Sequence, residues 1–202
     1  MELVVATKNK KKLKEIKEIW SGIKLKVTSL ADYPQAPRIV ENGRTFKENA
    51  LKKAVKTARF TGKLALGEDS GLCVDALGGK PGVYSSRFSD KNKSDPQNNL
   101  NVLRLLGDLA PAKRNAHYIC AVALADPEGL VGVAEGRCNG RIGFQPKGSK
   151  GFGYDPLFII PRYNQTFAQL GEGIKHKMSH RFRALEKAKK ILQKYIEKKK
   201  SN

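Results

Sequence analysis

The sequence predicts an α/β fold built on a mixed β-sheet with flanking helices, and three observations predict it. Short β-prone apolar runs alternate with segments of helical period from the first residues onward. A compact turn signal between two β-prone runs, Asp126-Pro127-Glu128-Gly129, predicts an antiparallel hairpin. The chain has 202 residues, 40% of them hydrophobic, enough for one sizeable core and marginal for two. Residues 1–202 are therefore read as a single domain.

The elements follow in order. Leu3-Val4-Val5-Ala6 is a buried strand that Thr7-Lys8-Asn9 breaks, and Leu13, Ile16 and Ile19/Trp20 recur at helical spacing behind it. A second strand falls near Leu25–Thr28, and Pro34, Pro37 and Gly43 mark a loop. Thr45 with Glu48 fits a capping box, followed by the stripe Ala50, Leu51, Ala54, Val55 and Ala58 and closed by Gly62. Leu64-Ala65-Leu66 is a strand that meets a small turn at Ser70-Gly71. Gly78-Gly79 and Pro81-Gly82 form a tight loop, and Asp95-Pro96 opens a helix lined by Leu100, Leu103 and Leu106. Tyr118–Leu124 and Val131–Glu135 are the hairpin strands. A Gly/Lys loop from Pro146 to Gly153 leads into the strand Leu157–Ile160. A long amphipathic helix ends the chain, with Ala184, Leu185, Ala188, Ile191, Leu192, Tyr195 and Ile196 on one face.

The formal net charge is +20. Such an excess favours polyanionic partners: nucleotides, nucleic acid or acidic surfaces. The excess is concentrated near the two ends, with eight Lys against two Glu from Lys8 to Lys26 and eleven Lys/Arg against two Glu from Lys175 to Lys200. Helix faces in solvent account for charge of this kind as well as a binding surface does. Three cysteines, Cys73, Cys120 and Cys138, form no C-x-x-C pair and support neither a disulfide framework nor a zinc knuckle. No apolar run approaches the ~18 residues of a membrane helix, and no secretory leader pattern opens the chain. The expectation is a cytoplasmic protein.

Five segments could carry chemistry. Thr7, Lys8, Asn9, Lys10, Lys11 and Lys12 lie where a strand hands over to a helix, and helix N-terminal N–H groups bind phosphate there. The pattern is no P-loop, and a plain polar turn before a surface helix is the competing reading. Glu68 and Asp69 end an apolar strand, where carboxylates can hold a hard cation such as Mg²⁺ or take a proton from water. Asp69 could equally be a turn cap. Glu41 sits in a Pro/Gly loop without an evident structural task, whereas Glu48 is occupied by the capping box. In Gly151-Phe152-Gly153-Tyr154-Asp155-Pro156, glycines flank an aromatic that could stack on a base or pack in the core. Lys175 precedes Ser179-His180-Arg181, in which Ser179 fits an N-cap and two potential cations oppose the helix dipole.

Taken together and in this order, these segments resemble the inosine triphosphate pyrophosphatase family, also described as XTP/dITP pyrophosphatases. The likeness runs from Thr7 to about Leu185. It rests on Thr7-x-Asn9-x-x-Lys12, Glu41 with Thr45-Phe46-x-Glu48-Asn49-Ala50, Glu68-Asp69-Ser70-Gly71-Leu72 and Gly78-Gly79-x-Pro81-Gly82-Val83-Tyr84-Ser85. Gly151-Phe152-Gly153-Tyr154-Asp155-Pro156 and Lys175-x-x-x-Ser179-His180-Arg181 complete it. The chain departs from the usual pattern at Gly173 and Ile174, where the family is acidic, and at Phe182, where it has a small residue.

The resemblance implies a long mixed sheet with two lobes around a central cleft, a homodimer and Mg²⁺. It implies hydrolysis of ITP, dITP and XTP to the monophosphate and pyrophosphate, clearing deaminated purines from the nucleotide pool. By the same likeness Asp69 is the general base and a metal ligand, and Glu41 and Glu68 assist at the metal. Thr7, Lys8, Asn9, Lys10, Lys11 and Lys12 grip the triphosphate, and Ser70 contacts the substrate. Phe152, Gly153, Tyr154, Asp155, Lys175, His180 and Arg181 build the nucleoside and phosphate pocket. Arg181 and backbone N–H groups would favour a 6-oxo acceptor over an exocyclic amine. The rival readings are a nucleic-acid-binding protein, prompted by the charge, and a nucleotide-binding regulator without activity. No helix-turn-helix, zinc or aromatic RNA-binding signature supports the first, so no specific nucleic-acid partner is expected. The retained Lys12, Glu41, Glu68 and Asp69 oppose the second.

Overall fold

The computed structural model describes residues 1–89 and 94–201. Strands β1 (Glu2–Val5), β2 (Lys26–Ser29), β3 (Leu64–Val74), β4 (Asn115–Asp126), β5 (Gly129–Ile142), β6 (Phe158–Ile160) and β7 (Gln165–Thr166) form one sheet in the order β2-β1-β3-β4-β5-β6-β7. β1 pairs in parallel with β2 and β3, while β6 is antiparallel to β5 and β7. The mixed α/β fold expected from the alternation is therefore present. Among the described residues six α-helices accompany the sheet: α1 (Lys10–Ile19), α2 (Phe46–Thr61), α3 (Asp95–Leu106), α4 (Phe167–Leu170), α5 (Glu172–Met178) and α6 (His180–Lys200). Among the described residues no helix is long and apolar enough to cross a membrane.

The chain divides into two compact units. The first comprises Met1–Asp69, Cys120–Gly136 and Arg181–Asn202, and the second Ser70–Ile119 and Arg137–His180. In the first, Leu3 and Val5 of β1, Ile16 and Trp20 of α1, Leu66 of β3, Val122 of β4 and Leu185 and Leu192 of α6 share one core. Each fully buried Leu there contributes roughly 1.5–3 kcal/mol. The Trp20 indole N–H donates to the Leu185 carbonyl at 3.2 Å, which fixes α1 to α6. α2 packs against β3 through Gly67, where a Cβ would lie 2.0 Å from the Ala50 carbonyl oxygen and 2.5 Å from the Ala54 nitrogen. Only glycine allows backbone to approach that closely.

In the second unit, Leu72, Val74, Val102, Leu106, Tyr118, Tyr154, Phe158 and Phe167 belong to a separate core. Tyr118 and Phe158 meet at 4.6 Å between ring centroids. Arg114, 1% exposed, donates to the carbonyls of Gly107, Ile142 and Gly143 at 2.9–3.0 Å, so its burial is satisfied by backbone acceptors.

Three local expectations need correction. β3 does not stop at a turn after Glu68 and Asp69; it continues through Ser70-Gly71 to Val74. The polar side chains there find partners, so the ladder has no reason to break. Thr45 does cap α2, accepting from the Glu48 N–H at 3.1 Å, but Glu48 returns its bond to the Arg44 N–H and not to Thr45. Leu100 is 53% exposed, and α3 turns Asn98, Asn99, Val102 and Leu106 inward instead. Asn98 and Asn99 are buried because they bind backbone, accepting from the Ser89 N–H and donating to the Gly153 carbonyl. The hairpin turn is as read, with Asp126 Oδ1 accepting from the N–H groups of Glu128 and Gly129.

Candidate active site

In the first unit the site residues gather at the carboxyl end of parallel strand β1, where an α/β sheet opens to ligands. β1 gives way to Thr7, and Asn9 caps α1. Asn9 Oδ1 accepts from the N–H groups of Lys11 and Lys12 at 2.9 and 3.2 Å, and Thr7 Oγ1 accepts from the Asn9 N–H at 3.1 Å. The junction is thus held in shape by its own side chains, and Lys8, Lys10 and Lys11 are exposed. Lys12 behaves differently from its neighbours. Its ammonium turns inward to Glu68 Oε2 at 2.9 Å.

Glu68 and Asp69 are 5% and 6% exposed, and as consecutive strand residues they face opposite sides of the sheet. Glu68 meets Lys12, Arg181 Nη2 at 3.1 Å and the Cys120 thiol at 3.4 Å. The other terminal nitrogen of Arg181 is held by Glu15. This answers the dipole conflict seen in the sequence: a cation in the first turn of α6 is compensated by two buried carboxylates. Burial alone would lower the Arg181 pKa, and Glu68 and Glu15 hold it above its ordinary value.

Asp69 faces α2. Lys53 Nζ lies 3.2 Å from Asp69 Oδ1 and 2.9 Å from Glu41 Oε2, and Asn49 Nδ2 donates to Asp69 Oδ2 at 3.1 Å. Asn49 Oδ1 in turn accepts from the Gly43 N–H at 2.8 Å, tying the loop that carries Glu41 to the same side chain. Burial raises the Asp69 carboxyl above its usual range; Lys53 and Lys12 oppose the rise, and Glu68 and Glu41 add to it. Glu41 is also raised by burial but ends below its usual range because Lys53 is beside it. Lys53 stays charged, since Asp69, Glu41 and Glu68 outweigh the cost of burying it. A carboxyl raised toward neutrality within reach of cations suits proton transfer.

Among the described residues no three His, Cys, Asp or Glu side chains converge as a ready ligand set. A hard cation that is bound through one or two carboxylates and completed by phosphate oxygens needs none. Glu41 and Asp69 already share a cation, the Lys53 ammonium, so their oxygens suit such an ion.

The second unit holds the remaining candidates. Asp155 and Lys175, each 2% exposed, pair at 2.7 Å. Asp155 Oδ2 also accepts from the Phe152 N–H at 2.9 Å, and the Lys175 ammonium lies 4.5 Å from the Phe152 ring centroid. Gly151, at φ +81°, leaves room for this: a Cβ would lie 2.2 Å from Asp155 Oδ2. Gly153 is fixed through its N–H by Asp95 at 2.7 Å. Tyr154 is a core residue whose hydroxyl donates to the Ser85 carbonyl at 2.8 Å. The His180 ring stacks on Tyr118 at 4.5 Å and 10°. Ser70 is half-buried on β3.

Sequence reasoning assigned no role to Lys53, Asn49 or Glu15, although Asn49 stands in the motif that carries the resemblance. A signal for the first two was present. Asn49 and Lys53 stand four apart beside Ala50 and Ala54, and a polar pair on the narrow small-residue face of a helix is poorly placed unless it has a buried partner.

An α/β sheet with a basic strand-to-helix junction and buried carboxylates at the end of its parallel strands defines a phosphate-handling protein. The chain belongs to the Ham1 family, whose sequence model matches residues 3–191. It is 48% identical over 192 residues to the dITP/XTP pyrophosphatase of Desulforamulus reducens, covering 95% of this chain and 96% of that one. It is also 48% identical to the dITP/XTP pyrophosphatase of Geobacter sulfurreducens, over 91% and 92% of the two chains. The solved structure of a HAM1 protein from Coxiella burnetii matches with a TM-score of 0.87 at 36% identity, covering 96% of this chain and 99% of that one.

Proposed function

We propose that residues 1–202 act as one nucleoside triphosphate pyrophosphatase domain that converts ITP, dITP and XTP to the monophosphate and pyrophosphate. The observation that carries this reading is Asp69: a buried carboxyl, raised by burial, fixed on one oxygen by Asn49 and on the other by Lys53. Asp69 orients a water and takes its proton as the water oxygen bonds to the α-phosphorus. The bond from that phosphorus to the bridging oxygen breaks, and pyrophosphate leaves with the electron pair. Lys12 and the Thr7–Lys11 junction hold the phosphates. Ser70, Phe152, Gly153, Tyr154, Asp155, Lys175, His180 and Arg181 complete the substrate site, with Arg181 and His180 reading the 6-oxo group. Glu41 and Asp69, with Glu68, would hold Mg²⁺, which neutralises triphosphate charge when bound. The working form is a homodimer in the cytoplasm.

The test is pyrophosphate release from ITP, dITP, XTP, GTP and ATP, with and without Mg²⁺, in wild type and Asp69→Asn. The expected result is Mg²⁺-dependent turnover of the first three and a loss of about 10²–10⁴-fold in the folded variant. Turnover of ATP equal to ITP, or a fully active Asp69→Asn, refutes the assignment.

A further inference from the structure

The outer side of α6 carries charge that the pyrophosphatase reading does not use. Arg183, Lys187, Lys190, Lys194 and Lys198 recur at three- and four-residue steps, and all five are exposed. They form one row of about 22 Å at 1.5 Å per residue, on the side away from buried Ala184, Ala188 and Leu192. Like charges at this spacing repel along a helix. α1 handles the problem internally, with Lys14 paired to Glu18 at 3.6 Å. On α6, Lys190, Lys194 and Lys198 have no ion pair among the described residues. Lys187 donates to the Glu135 carbonyl at 2.8 Å, so it is Lys190, Lys194 and Lys198 that keep their repulsion in the free protein and would lose it against an extended anion.

The row ends in a groove of about 600 Å³ between the last turns of α6 and the β4–β5 turn. Lys194 and Lys198 stand on it, and Ile191, Tyr195, Leu130 and Val131 supply an apolar lining. Leu130 is 52% exposed. The Tyr195 ring is fixed by its hydroxyl, which donates to Asp126 at 2.9 Å. The groove's two acids are both occupied, Asp126 by that bond and the turn N–H groups, and Glu128 by Lys199 at 3.6 Å.

We propose that this face of α6 and its groove bind single-stranded nucleic acid without sequence preference, phosphates along the lysine row and a base in the groove. Lysine row and aromatic-apolar groove together are what a single strand requires. A duplex keeps its bases stacked and would leave the groove unused. A membrane would need a continuous apolar face turned outward, and the buried Ala184, Leu185, Ala188 and Leu192 of α6 are spent on the core.

The experiment uses the full chain and a fluorescent oligothymidylate of about 20 nucleotides, with anisotropy followed from about 50 to 200 mM salt. Neutralising Lys190, Lys194 and Lys198 together to Gln should flatten the log–log salt dependence by about 2, at ~0.7 per phosphate contact on a single strand. Leu130→Ser should weaken oligothymidylate at least about fivefold while leaving duplex DNA and inorganic polyphosphate unchanged. Pyrophosphate release from ITP should be the same in all variants, which shows them folded and separates this proposal from the catalytic one. An unchanged salt slope overturns the proposal. So does equal binding of duplex or polyphosphate with Leu130→Ser silent, or binding confined to anionic phosphatidylserine vesicles.

Discussion

Replacing Lys53 by Met keeps the aliphatic stem and removes only the ammonium. At 3.2 Å from Asp69 and an effective dielectric near 20, the lost attraction is about 5 kcal/mol. The Glu41 contact at 2.9 Å adds less, because that side chain is 40% exposed and turns to water when released. Against this stands the desolvation of Lys53 itself, which the variant no longer bears. Removing one partner of a buried pair costs roughly 3–5 kcal/mol, most of it from the stranded carboxylate. For a chain of this size that lowers Tm by about 10 °C. Asp69 escapes part of the cost by taking up a proton. Its carboxyl, already raised, moves higher, so less of it is ionised at neutral pH to accept a proton from water. Lys53→Met is expected to lose at least ~10² in kcat at pH 7 and to recover part of it as pH rises. Thermal melts and pyrophosphate release across pH measure both effects. A variant within 1 °C of wild type with unchanged kcat would refute the claim that Lys53 sets the state of Asp69.

Asn49→Asp keeps an acceptor for the Gly43 N–H but loses the amide donor to Asp69; Asn49→Leu loses both. If the donor is what matters, kcat should fall about tenfold or more in both variants with KM little changed in Asn49→Asp; activity retained by Asn49→Asp alone would reduce the role to loop pinning. Arg181→Lys retains charge toward Glu15 and Glu68 but not the planar fork. It should narrow the ratio of kcat/KM for ITP over ATP, and an unaltered ratio would remove Arg181 from base reading. Burial and the bond to Asp126 push the Tyr195 phenol up to about 12. The folded state holds that proton more tightly, so stability falls as pH climbs from about 10 toward 12. A difference absorbance titration against Tyr195→Phe should show one phenol ionising late, and ionisation near 10 would contradict the geometry.

The sequence allowed β1, α1, α2, the β4–β5 hairpin and α6 to be placed, because each had a strong period with a stop signal beside it, as with Gly62 and Asp126. The end of β3 was not legible. Ser70-Gly71 has turn composition, and only tertiary partners keep it in the sheet. α3 misled for a related reason: Asn98 and Asn99 read as surface residues, yet they face inward to bind backbone. The acidic residues of the site stood out in sequence because charge in an apolar strand is conspicuous. Lys53, the partner of Asp69 and Glu41, and Glu15, the partner of Arg181, did not, because among 39 Lys and Arg and 19 Asp and Glu nothing local marks the few that are buried.

The contact at Gly67 has a consequence for how this site can vary. Ala50 and Ala54, whose backbone touches Gly67, directly follow Asn49 and Lys53 in the chain. The distance from α2 to β3 is therefore set by the absence of a side chain, and the same distance sets the reach of Asn49 and Lys53 to Asp69. A methyl group at position 67 would lift the helix by more than an ångström, and no choice of residue at 49 or 53 restores both contacts at once. Among all substitutions outside the site itself, a saturation library at position 67 should return glycine alone. Drift in this chain can reshape its surface freely while that one spacing stays frozen.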